Sequence, residues 1–248
     1  MLIAFDTDIL LYKAATAAEK EIDWGDDVWS LQTDLKEAKQ AFEVQIAKIT
    51  DKLGVKEYVF CLSDHSNNFR KVVDPSYKSN RKGSRKPVGY VALCDWVEQS
   101  FKTFRKPRLE ADDCLGLIAT KPGNENQVIM VSDDKDLKTI PGKLYRPMAD
   151  EMLTITEADA DKHFFTQVLT GDATDGYKGI PGVGPKKAEA ILGARPHWSA
   201  VEQAYIKAGM TRDDAIQQAR LARILRWTDW HDEIQEIRLW TPPVSASQ

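Results

Sequence analysis

Short runs of consecutive apolar residues alternate, in the first half of the chain, with longer stretches in which apolar positions return every third or fourth residue. Leu2 to Phe5, Tyr58 to Leu62 and Val128 to Val131 are runs of the first kind, each followed by an aspartate or by Ser-Asp. Uninterrupted apolar runs of this length predict strands buried on both faces, as in a parallel sheet. Between the first two runs, Leu31, Leu35, Ala38, Phe42, Ile46, Ile49 and Leu53 form the stripe of a long amphipathic helix, and Gly54 supplies its stop. A second stripe passes through Val91, Cys94, Val97, Phe101 and Phe104, and a shorter helix follows Asp112 through Leu115, Ile118 and Ala119. Strand and helix in alternation predict an α/β fold with a mainly parallel central sheet flanked by helices.

After about Thr154 the strands are expected to stop. Thr156 is placed to cap a helix carrying Phe164, Phe165, Val168 and Leu169, and Pro185 opens another that closes at Gly193. Thr211 starts a third, with Asp213 and Asp214 in its first turn and Arg220, Arg223 and Arg226 towards its end, as the helix dipole favours. The expected organisation is an α/β domain over residues 1–155, with a basic segment at 69–100, followed by a helical region over 156–248 that holds a hairpin-type turn at 179–193.

Composition adds little to this picture and charge adds more. The 248 residues are 42% apolar and 29% charged, and no run approaches the ~18 apolar residues of a membrane span or resembles a secretory leader. A cytoplasmic protein without a membrane partner is the expectation. Cys61, Cys94 and Cys114 each lie in an apolar stretch, which predicts buried, reduced thiols and neither a disulfide framework nor a zinc site. The net charge is only -4, but Phe69 to Lys86 holds seven Lys or Arg against one Asp.

Acidic residues gather where the predicted strands end: Asp6 and Asp8, then Asp64, then Asp133, Asp134 and Asp136. Glu110, Asp112 and Asp113 open a helix, and Asp172 and Asp175 precede a glycine-rich turn. Parallel sheets bind ligands at the carboxyl ends of their strands, so one edge could collect these carboxylates. Neighbouring carboxylates raise one another's pKa, and a bound cation relieves them. All-oxygen donors without paired His or Cys point to Mg2+ or Mn2+ with water in the remaining positions. The alternative for each acid is a helix cap or turn without a catalytic role.

In the basic segment Arg70, Lys71, Lys78, Arg81, Lys82, Arg85 and Lys86 could neutralise phosphates, and Tyr77 offers a face for a base, the alternative being a solvated loop. In Gly179-Ile180-Pro181-Gly182-Val183-Gly184-Pro185-Lys186-Lys187-Ala188, glycines before a Pro-started helix expose backbone N–H groups to a phosphate, and Lys186 and Lys187 add charge. The alternative is a plain interhelical turn. The pattern is that of a helix-hairpin-helix, which grips a DNA backbone without reading sequence.

Taken together these residues resemble the 5′ nuclease superfamily of flap endonucleases, the 5′ nuclease domain of bacterial DNA polymerase I and phage 5′→3′ exonucleases. The segments that carry the resemblance are Asp6 to Lys13, Asp64 with Phe69-Arg70 and Tyr77 to Arg81, Glu110 to Asp113, Ser132 to Asp136, Gly171 to Asp175, and the hairpin turn, in that order. Val73 to Lys82, 86 to 90, Ala208 to Thr211 and 222 to 226 are similar in particular to the exonucleases of short-tailed phages. Thr7 stands where the wider family has glycine and Lys13 where it has arginine, and the segment after Phe69 is short for an arch.

The resemblance implies that Asp6, Asp64, Glu110, Asp112 and Asp113 bind one metal directly or through water, and that Asp134, Asp136, Asp172 and Asp175 complete a second site, with Asp8 and Asp133 beside them. It implies that Lys78 and Arg81 contact the scissile phosphate, that Tyr77 stacks, and that carbonyls around Gly182, Val183 and Gly184 hold K+. The implied activity is a two-metal 5′→3′ exonuclease on duplex DNA with 5′ ends, nicks or flaps, and on RNA in RNA–DNA hybrids. It would serve phage replication, recombination and host DNA degradation, as a monomer that meets replication proteins. A structure-specific flap endonuclease is the near alternative. From other classes, Asp6-Thr7-Asp8-Ile9-Leu10 also resembles the nucleophile motif of haloacid-dehalogenase-type phosphatases, and a DNA-binding module without catalysis would keep the basic segments.

Overall fold

The predicted apolar runs form the middle of a sheet. The computed structural model describes residues 1–81 and 83–243, so Lys82 lies outside the described residues. In chain order the first half comprises β1 (Leu2–Asp6), α1 (Thr7–Ala17), β2 (Glu19–Asp23), β3 (Trp29–Thr33), α2 (Leu35–Leu53), β4 (Tyr58–Cys61), α3 (Arg70–Val73), α4 (Tyr90–Ser100), β5 (Thr103–Phe104) and α5 (Ala111–Thr120). The second half comprises β6 (Val128–Val131), β7 (Gly142–Arg146), β8 (Glu151–Ile155), α6 (Glu157–Thr170), α7 (Pro185–Leu192), α8 (Trp198–Lys207), α9 (Arg212–Ala222), β9 (Trp230–His231) and β10 (Glu236–Ile237).

The main sheet has the order β5-β4-β1-β6-β7-β8 and is parallel except for β8, which runs antiparallel along β7. β1 sits centrally between β4 and β6, which places the ends of all three strands, and the acids that follow them, along one edge. Side chains alternate across the strand: Ile3 and Phe5 join Phe42, Ile46, Leu93 and Val97 on one face, and Ala4 joins Leu115, Leu117 and Leu144 on the other. Α third core unites α6, α7, α8 and α9 around Phe164, Val168, Tyr205 and Ala219.

Local chemistry explains the helix limits. Asp34 caps α2 by accepting from the Lys36 and Glu37 amides, and Gly54 ends the helix in the left-handed conformation. Thr211 and Asp214 form a reciprocal capping box on α9.

Several expectations are corrected. Leu31, in phase with the α2 stripe, belongs to β3, in an exposed β2–β3 hairpin whose few apolar contacts left no period to read. In α4 the buried positions are Tyr90, Leu93, Cys94 and Val97, while Val91 is exposed and Phe104 falls in β5. Strands do not stop at Thr154: β9 and β10 form a small antiparallel ribbon. The three cysteines, by contrast, are free and buried, as their apolar surroundings predict. Among the described residues no helix is long and apolar enough to cross a membrane.

The glycine-rich segment is fastened to the end of α6 by two glycines. Ile180 N donates to Leu169 O at 2.9 Å, and a Cβ added to Gly179 would lie 2.3 Å from the Gly171 nitrogen. Gly179 also has φ +60°. Gly179→Ala is expected to lower unfolding free energy by about 3 kcal/mol or more, since left-handed strain adds to backbone overlap. Urea unfolding checks this.

Candidate active site

Five chain segments converge at the carboxyl edge of the sheet around a cavity of about 230 Å3. Asp6, Asp8, Lys78, Arg81, Glu110, Asp112, Asp134, Asp136 and Asp175 line it.

Asp6 ends β1 and leads into α1, whose first turn carries Asp8. Its carboxylate accepts from Ser132 Oγ at 2.7 Å, and Asp8 accepts from the Ser63 amide. Ser132, just beyond β6, also accepts from the Asp134 amide through the same oxygen, at 3.1 Å, so one hydroxyl couples two strand ends. Asp134 caps a 3-10 turn at Lys135–Thr139 by accepting from Asp136 N at 2.8 Å. Burial, then repulsion from Asp8 and Asp134, pushes the Asp6 carboxyl up to about 7. Burial and Asp134 likewise raise Asp136 to about 7, and burial with Asp6 and Asp134 raises Asp112 well above the usual carboxylate range.

Glu110 behaves oppositely. It stands at the N-cap of α5, where burial would raise its pKa, but Lys78 and Arg70 bring it down to about 2. Lys78 Nζ is bonded to Glu110 Oε1 and lies 3.6 Å from Asp175, and Tyr77 donates its hydroxyl to both Glu110 and Asp175. Arg81 Nη2 lies 2.8 Å from Asp175 Oδ1, and Arg81 is about half exposed at the mouth. Asp172 lies behind this wall: its Oδ1 accepts from the Thr174 and Asp175 amides and its Oδ2 meets Lys135 at 2.9 Å.

The donor set fits hard divalent cations. Asp6, Asp112, Asp134 and Asp136 are oxygen donors held together against their own repulsion, which is the arrangement that a cation stabilises. Among the described residues no three acid, imidazole or thiolate groups stand close enough together to hold a metal ion as they are placed. Lys78 occupies Glu110 and Asp175, and Lys135 occupies Asp172. An open bowl of this kind suits a hard divalent cation that keeps several of its waters.

Five residues expected at the site are used otherwise. Asp113 is fully buried in a bidentate pair with Arg70, at 2.7 and 2.8 Å, and accepts from the Leu225 amide. Arg70, expected on DNA, is 3% exposed and also donates to the Leu221 and Arg223 carbonyls, which clasps α3 to the end of α9. Tyr77 is 3% exposed, so its ring has no open face for a base. Asp64 points away from the cavity, accepting from Ser66 and from the Arg108 amide. Asp133 also faces elsewhere, towards the Met148 amide and Lys13.

The remaining basic residues divide. Lys71 is exposed on α3, Arg85 is paired with Glu19 of the β2–β3 hairpin at 2.6 and 2.7 Å, and Lys86 lies 4.5 Å over the Tyr90 ring. The turn before α7 is open, with Gly182, Gly184, Lys186 and Lys187 exposed and Val183 half-buried, and Lys187 Nζ donates to the Gly182 carbonyl at 2.8 Å. Sequence reasoning missed Ser132, Lys135 and Gln167. The signal for Gln167 was available: a lone amide in the apolar stretch from Phe164 to Leu169.

Residues 1–164 match a family model described as "5'-3' exonuclease, N-terminal resolvase-like domain". The chain is 32% identical to the Exonuclease of Escherichia phage T7 and 31% identical to the Exodeoxyribonuclease of Enterobacteria phage T3, each over 97% of this chain and 93% of the relative. A solved structure of phage T5 5'-exonuclease with bound zinc superimposes with a TM-score of 0.64 at 15% identity, over 90% of this chain and 88% of that one.

Proposed function

Since the chain belongs to the 5'-3' exonuclease family, we propose that it hydrolyses phosphodiester bonds inward from the 5′ ends of duplex DNA with the help of divalent cations, Mg2+ or Mn2+. The observation that carries this reading is the acid-lined cavity at the sheet edge with Lys78 and Arg81 on its rim. Asp6, Asp8, Asp112, Asp134 and Asp136 would hold the cations, with Glu110, Asp172 and Asp175 reached directly or through water. Bound divalent ions lower the pKa of a coordinated water and stabilise charge on the entering and leaving oxygens of an in-line displacement.

The chain's own groups do the rest. Lys78 holds its proton between Glu110 and Asp175, and a phosphate entering the cavity competes for that ammonium. Arg81 presents its guanidinium at the mouth, where it can take a second phosphate oxygen. The exposed turn at Gly182 to Gly184 with Lys186 and Lys187 would hold the duplex backbone away from the cut, fixing register without reading bases. K+ at the Val183 carbonyls, removal of RNA from hybrids, action as a monomer beside replication proteins in a host cytoplasm, and a nuclease unit at 1–155 followed by a DNA-binding region at 156–248 complete the proposal. A covalent phosphatase mechanism on Asp6 is set aside by the family.

Replacing Asp134 and Asp136 together with Ala is expected to abolish cleavage while leaving duplex affinity in EDTA within about twofold, because the substituted groups face the cations and not the backbone-gripping turn. Gel-shift and cleavage assays on one nicked duplex check both halves. Retained cleavage would overturn the cation assignment.

A further inference from the structure

One buried amide stands behind the acid cluster. Gln167 lies on α6 among Phe164, Val168 and Leu169 and is 6% exposed. A desolvated amide is tolerated when it makes hydrogen bonds. Its Nε2 donates to Asp136 Oδ1 at 2.6 Å, the orientation in which Asp136 serves as the acceptor. Its Oε1 is buried without a donor, and so is Nε2 of His163, one turn earlier. Residues four apart face the same side of a helix, so the two unpartnered atoms belong to the same face of α6.

We propose that Gln167 is a positioning residue: its amide fixes Asp136 through one carboxylate oxygen and leaves the other for a divalent cation. This rests on the cation-dependent reading given above. The residue type suits the task. A Glu here would add a fifth charge to Asp134, Asp136, Asp172 and Asp175, and a Lys would compete with the cation for Asp136. Gln is the neutral donor that orients without competing, and partners that orient ligands from behind carry roughly 10- to 100-fold in metal affinity or activity.

The test is Gln167→Met, similar in length and without hydrogen bonds, in the full chain. Mn2+ titrated calorimetrically into the DNA-free protein should bind about 10- to 100-fold more weakly, and the Mg2+ concentration giving half-maximal cleavage should rise by a similar factor. Cleavage should return at high Mg2+, with duplex affinity in EDTA unchanged; a purely structural role would give neither the rescue nor the shift. Wild-type Mn2+ affinity and Mg2+ dependence in the variant would overturn the proposal. If Gln167→Met folds poorly, the comparison moves to Asp136→Asn with and without Gln167→Asn. Equal Mn2+ affinity of the two supports action through Asp136, and a further tenfold loss overturns it. A wild type that takes up no Mn2+ overturns the cation-dependent reading, and the proposal with it.

Discussion

Asp6→Asn is expected to abolish nuclease activity and, in the metal-free protein at pH 8, to raise the thermal midpoint by roughly 5–10 °C. Asp6 is 6% exposed, and its hydrogen bond from Ser132 is kept in the variant because an amide oxygen also accepts. What changes is the charge. Burial and the neighbouring Asp8 and Asp134 push its carboxyl up to about 7. A carboxyl whose pKa is higher folded than unfolded favours the folded state when protonated, so stability is fullest below about pH 4 and is lost as pH rises through about 7. The shift corresponds to about 2–4 kcal/mol at pH 8. Thermal melts in EDTA across pH 4 to 8 should therefore show the variant and wild type converging at the acid end and diverging at the alkaline end. Mg2+ should raise the wild-type midpoint more than that of the variant. Equal midpoints at pH 8 would show that the acid cluster is not strained.

The second large effect concerns a residue that looked like a DNA contact. Arg70→Met should lower unfolding free energy by about 3–5 kcal/mol, because it leaves Asp113 buried without its bidentate partner. It also removes donors from the Leu221 and Arg223 carbonyls, loosening the segment that closes the cavity from the α9 side. Lys71→Met, one position along and exposed, should change stability by less than about 0.5 kcal/mol. Guanidinium unfolding of the two variants separates these outcomes. A stable Arg70→Met protein with weakened DNA affinity would restore the phosphate-contact reading.

The strands that build the site were legible because β1, β4 and β6 are buried on both faces and so read as unbroken apolar runs. The β2–β3 hairpin was not, because most of its side chains meet solvent and Leu31 happens to fall in step with the α2 stripe. The gathering of acids at strand ends was also legible, since topology alone brings those ends to one edge. Which acid faces the cavity was not. Adjacent positions on a helix point about 100° apart, so Asp112 enters the cavity while Asp113 turns to Arg70. Asp133 and Asp134, in the irregular segment after β6, also diverge, one to the Met148 amide and one to the cavity. Tyr77 and Arg70 carry residue types that bind nucleic acid, yet their partners, Glu110, Asp175 and Asp113, lie 33 to 98 positions away in sequence. Pairings that distant are set by the fold.

The most direct measurement is cleavage of a nicked duplex labelled at the 5′ end of the nick or, in parallel, at the 3′ end of the same strand, with Mg2+ and with EDTA. The account predicts immediate release of short products from the 5′ label, a descending ladder from the 3′ label, and no products in EDTA. Loss of the 3′ label first, or cleavage that persists in EDTA, would contradict it.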